Sequence, residues 1–154
     1  MKKSNLNADS EFMILCQEGK LEAIKDLLKT YPETDIFVGN NHGLIQAVKR
    51  NHIEVVDYLL NHTELGNSPN IYNDQGAYLV ACDNANTLLI EKLFNHWLNN
   101  ENLQKSNPQI WEYGFCAAYV HGNEHTMRFF LENPIMKPYI NIHLEEDNCF
   151  ITLY

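Results

Sequence analysis

His121 and His125 stand four residues apart, and two imidazoles at that spacing can share a metal ion when one helix carries both. Gly122 and Asn123 lie between them as a helix-breaking pair, so the rings are expected to diverge on an exposed loop. The order also differs from H-E-x-x-H, because Glu124 adjoins the second histidine rather than the first. A nucleophilic thiol would need an imidazole beside it. The four cysteines, Cys16, Cys82, Cys116 and Cys149, are far apart and form no C-x-x-C. Cys16 and Cys82 recur at equivalent apolar positions, which accounts for them as core thiols. No Gly-rich phosphate loop, G-x-S-x-G or paired carboxylates are present. The chain is therefore expected not to be an enzyme and to carry no cofactor or catalytic residue. Glu145–Asp147, a run of three acids, reads as a solvated face.

The chain bearing these residues has 154 of them, the size of one domain. Its hydrophobic fraction of 45% and charged fraction of 20% are those of a folded soluble protein rather than a disordered one. No apolar run reaches the roughly 18–20 residues of a membrane span, and the polar start lacks the apolar centre of a signal peptide. Reduced thiols in the cytoplasm, without membrane insertion, are the expectation. The Asn61-His62-Thr63 sequon is expected to go unused. The formal charge is −9, and residues 1–50 balance seven basic against seven acidic side chains, so the acidic excess lies beyond them. Such a field repels a phosphate backbone, which argues against nucleic acid as a partner.

Self-similarity is the strongest signal. Four segments align: Phe12–Leu28, Leu44–Leu60, Tyr78–Phe94 and Phe115–Leu131. Their ends, Leu28, Leu60, Phe94 and Leu131, are spaced by 32, 34 and 37 residues. Each reads as a short apolar helix, a break and an amphipathic helix. The breaks are Gly19-Lys20, Asn51-His52, Ala85-Asn86 and Gly122-Asn123. Glycine there permits a left-handed cap, and Asn86 and Asn123 are placed to cap the next helix. Polar linkers follow each pair, including Asn99 to Asn107, with Asn107-Pro108 as a helix start. No single helix pair can bury its own apolar face, so stacking must do it and no linker is expected to be a domain boundary.

This period and pattern resemble the ankyrin repeat over about residues 10–140. Asn51–Leu60 is similar to the family's Gly-His-Leu-Glu-Val-Val-x-x-Leu-Leu, and Gly19–Leu28 matches it in the same place. Asn70–Gly76 looks like the family's hairpin between units. The Thr-Pro-Leu-His helix start is absent from every unit, which implies looser hairpins. The fold expected is an all-α solenoid of about four helix-turn-helix repeats, forming a single domain over 1–154. Its units are approximately 10–40, 41–73, 74–107 and 108–141, with a partial fifth at 142–154. Abundant asparagine and scarce arginine (Arg50 and Arg128 alone) are similar to divergent arrays of amoebae and of the bacteria and viruses living in them.

The resemblance implies a monomeric, non-enzymatic module that binds a protein partner of unknown identity through a concave face. The pairs before each break would line it: Gln17-Glu18, Lys49-Arg50, Asp83-Asn84 and Val120-His121. The hairpin tips would add Asn41, His42, Asp74 and Gln75. Tyr78 and Trp111 are aromatic side chains near the linkers and are either core or binding anchors. Two alternatives remain: an accessory or truncated part of a larger enzyme or effector, acting in a host-cell cytoplasm if translocated, and a metal-dependent hydrolase using His121 and His125.

Overall fold

The computed structural model describes residues 6–62, 71, 76–106, 110–140, 144–145 and 148–149. They are helical apart from short turns and one two-residue antiparallel ladder, so the all-α expectation holds for the described residues. Among them no helix is long and apolar enough to cross a membrane. The chain divides into two compact units, Met1–Ile71 and Tyr72–Tyr154, at the junction of the second and third repeats.

The first unit holds α1 (Leu6–Glu18), α2 (Leu21–Thr30), α3 (Val38–Lys49) and α4 (Ile53–Leu60). α1 packs on α2 and α3 on α4 as hairpins, while α1 lies along α3 and α2 touches α4. The core is aliphatic with one ring: Phe12, Cys16, Ile24, Leu44, Val48, Val56 and Leu59 are buried. Glu22 and Glu54 sit in the first turns of α2 and α4, as their dipole preference predicts. α3 opens irregularly. Gly39, Asn40 and Asn41 are all left-handed (φ 63°, 57° and 65°), a conformation that glycine and asparagine bear at least cost. The linker before it is a chain of turns rather than a strand pair. Asp35 N–H donates to the buried Asp9 carboxylate (2.7 Å), tying the linker to α1.

The second unit holds α5 (Ala77–Asp83), α6 (Thr87–Leu98), α7 (Glu101–Ser106), α8 (Ile110–Val120) and α9 (Glu124–Glu132). α5 packs on α6 and on α8, and α8 packs on α9. Its core is aromatic: Tyr78, Phe94, Trp97, Trp111, Phe115 and Phe130 are buried. Trp111 lies edge-on to Tyr78, Phe94 and Trp97, with centroids 4.2, 4.8 and 5.5 Å away. The Asn99–Asn107 linker is not plain loop. Asn100 Oδ1 accepts from the N–H groups of Asn102 and Leu103, and α7 follows with Leu103 buried. Asn107-Pro108 lies outside the described residues. In the stretch expected to be a partial fifth unit, β1 (Leu144–Glu145) pairs antiparallel with β2 (Asn148–Cys149), and β2 lies against α8.

The four breaks share one geometry. Gly19, Asn51, Ala85 and Gly122 have φ of 72°, 62°, 53° and 66°. At the first break, Gly19 N–H donates to Cys16 C=O and Lys20 N–H to Leu15 C=O, the paired bonds of a Schellman cap. Leu21 N–H then reaches Gly19 C=O, and Ile24 N–H reaches Lys20 C=O to start the next helix. The breaks at Asn51, Ala85 and Gly122 repeat all four bonds at the equivalent residues. The repeat phase read from apolar spacing is thus also a phase of the backbone.

Candidate functional site

A left-handed residue must turn the chain sharply between two helices, which leaves the side chains on either side of it pointing away from the core. Lys49, Arg50, Asp83, Asn84 and His121 are exposed, as predicted for residues that neither core nor caps require. His42 is exposed as well. Asp74 and Gln75 lie outside the described residues. Three predicted binding residues are instead interior. Tyr78 and Trp111 are each 0% exposed, because their rings form the centre of the second unit's core. Asn41 is 1% exposed, because the left-handed run at the start of α3 turns it inward.

Each unit keeps its turn-end residues apart from its core but links one hairpin to the other. In the first unit the His52 ring covers Gly19, and a Cβ at Gly19 would come within 2.5 Å of His52 Nδ1. His52 Nε2 lies 2.9 Å from Gln17 O. A carbonyl only accepts, so Nε2 carries the proton and donates. In the second unit one asparagine serves two purposes. Asn123 Oδ1 accepts from Thr126 N–H (3.2 Å) as the cap of α9, and its Nδ2 donates to Cys82 O (3.1 Å). Thr126 Oγ1 donates to the same carbonyl at 3.4 Å. Asn86 caps α6 through Leu89 N–H at 3.1 Å. Both predicted asparagine caps are therefore present.

The linking residues place the exposed side chains in two sets. In the first unit Gln17, Glu18, Lys20, Arg50 and His52 line an open depression of about 580 Å³. Lys20 Nζ is 2.8 Å from Glu18 Oε2. In the second unit His121 Nε2 stands 3.8 Å from Asp83 Oδ1, beside the exposed Tyr119 and Val120. Lys20 and His52 were not among the residues singled out for binding. Their signal was positional, since each directly follows a left-handed residue.

His121 and His125 are both exposed and flank left-handed Gly122. Among the described residues no group of three or more His, Cys, Asp or Glu could hold a metal. Cys16 and Cys82 are free and buried, and burial pushes the Cys16 thiol up to about 12 and raises Cys82 further. A thiol so protonated is a poor nucleophile. Cys116 departs from the expectation of four reduced thiols, since it is disulfide-bonded. Compared with family models, curated proteins and solved structures, the chain matches none.

Proposed function

We propose that this chain is a non-enzymatic interaction module, an ankyrin-like array of divergent repeats that binds a protein partner through the side chains at its turn ends. One observation carries the reading. Four equivalent breaks share one left-handed geometry, yet the residues preceding them differ freely: Gln17-Glu18, Lys49-Arg50, Asp83-Asn84 and Val120-His121. Within each unit, a framework that fixes its backbone and varies its exposed side chains offers a preordered surface, so binding loses little conformational entropy.

The test is a quantitative pull-down from eukaryotic cell lysate with wild type and a variant carrying Lys49→Ala, Arg50→Ala, Asp83→Ala and His121→Ala. All four side chains are exposed, so the variant should fold, which circular dichroism checks. A protein retained by wild type and lost from the variant supports the reading. Equal retention by both overturns it. Trp111 is left intact, because its removal would test the core.

A further inference from the structure

We infer that the depression in the first unit is a subsite for a carboxylate side chain on an acidic peptide segment of the partner. This deepens the interaction reading and rests on it.

The floor of the depression is fixed. Gly19 lacks the Cβ that would strike His52, so the imidazole lies directly on the turn, and its Nε2–H is held by Gln17 O at 2.9 Å. Helices both end and begin at each turn, so their opposed dipoles largely offset and side-chain charge decides the sign. Two of the five lining residues are cations, Lys20 and Arg50, against one acid, Glu18. Lys20 is already engaged with Glu18 at 2.8 Å. That leaves Arg50, which is exposed and has no carboxylate partner among the described residues.

The chain's second arginine shows the contrast. Arg128 Nη2 is 2.8 Å from Glu124 Oε1 across one helical turn, so its fork is occupied from within. A guanidinium is always charged, presents five donors in a plane and matches a carboxylate with two parallel bonds. The Gln17 amide beside it can serve a peptide's backbone groups. The depression lies in the half of the chain whose charges balance, seven basic against seven acidic over residues 1–50, so an acidic segment meets less repulsion there than it would over the acid-rich remainder. Since the partner proposed above is a protein, the anion offered to this one unengaged guanidinium is a side-chain carboxylate, and the phosphate arm of the test below separates it from a phosphate group.

The probe is a capped octaglutamate peptide titrated at low salt into the 154-residue chain, read by amide proton–nitrogen spectra. Saturable shifts are expected at residues 17–20 and 49–52. Arg50→Gln should weaken the binding about three- to fivefold, and Arg128→Gln should leave it unchanged. Four outcomes would overturn the inference: no shifts at these amides, equal weakening by both substitutions, the same shifts with octalysine, or the same shifts with inorganic phosphate alone. If the pull-down partner depends on Asp83 and His121 while octaglutamate leaves these amides unmoved, the subsite fails and the interaction reading stands. If no partner depends on any turn-end residue, the interaction reading itself fails.

Discussion

The two units solve one geometric problem with different side chains. The first turns on Gly19 and Asn51 and joins its hairpins with a histidine laid over the glycine. The second turns on Ala85 and Gly122 and joins its hairpins with Asn123 and Thr126 on one carbonyl. Asparagine also caps both second helices there, whereas Lys20 and His52 make no side-chain cap in the first unit. The cores diverge in parallel, with one ring among aliphatic side chains in the first and a cluster of edge-on aromatics in the second. The sign of φ at the break, the four backbone hydrogen bonds around it and a donor toward the preceding hairpin are held in common. The side chains at the turn vary, and that freedom lets one turn end gather arginine and lysine while the other shows aspartate, valine and histidine.

The sharpest way to separate the units is through their cores. Trp111→Ala should destabilise the second unit by about 3–5 kcal/mol, the usual cost of removing a buried large aromatic. Hydrogen exchange should accelerate across 76–140. An equal acceleration across 6–62 would show that the units do not unfold separately.

The next effect compares two glycines of nearly equal φ. Gly19→Ala adds strain and drives a Cβ into His52, for about 3 kcal/mol in all. At Gly122 an added Cβ meets nothing within 4 Å, so Gly122→Ala should cost only the backbone term of about 1–2 kcal/mol. Adding His52→Ala to Gly19→Ala should recover part of the excess in denaturant melts. Equal costs for the two glycines would remove the histidine from the account.

Alkaline pH should act on both units alike, through Cys16 and Cys82 at the same repeat position. Each thiol has a folded pKa raised by burial. Below about pH 9 the thiols are protonated in both folded and unfolded chains, and stability is unaffected. Above it the unfolded chain ionises and the folded one does not, so stability falls by up to about 1.4 kcal/mol per pH unit per thiol. Denaturant midpoints between pH 8 and 10.5 should show this slope, and Cys82→Ala should reduce it. The smallest change is a gain. Ala85 is the one β-carbon other than asparagine's held left-handed at a break, at φ 53°. Ala85→Gly should stabilise by about 0.5–1 kcal/mol, and a loss of stability would mean the methyl group packs usefully.

Much of the second unit's local structure was legible beforehand. Asn86 and Asn123 could be read as caps because the cap bond spans three residues and needs only the right side chain at the helix start. The breaks were legible for the same reason. Trp111 and Tyr78 were not, because a large ring beside a linker is core or anchor depending on what folds over it. The α7 helix was obscured by its polar sequence, Glu101–Ser106, in which Leu103 is the buried anchor. It occupies part of the longest repeat spacing, between Phe94 and Leu131. His52 was passed over as a turn residue, since its acceptor Gln17 O lies 35 residues earlier.

The sequence by itself determined the paired helices of the four hairpins, their phase and the residues at which each hairpin turns. Those depend on bonds and side-chain contacts within one or two turns of the chain, and periodicity records them directly. Only the tertiary structure decided that Asn41, Tyr78 and Trp111 face inward, that His52 and Asn123 join hairpins, and that Arg50 stands beside an open depression. Each of these needs a second hairpin packed against the first, and a one-dimensional pattern fixes which face is apolar without fixing which neighbour covers it.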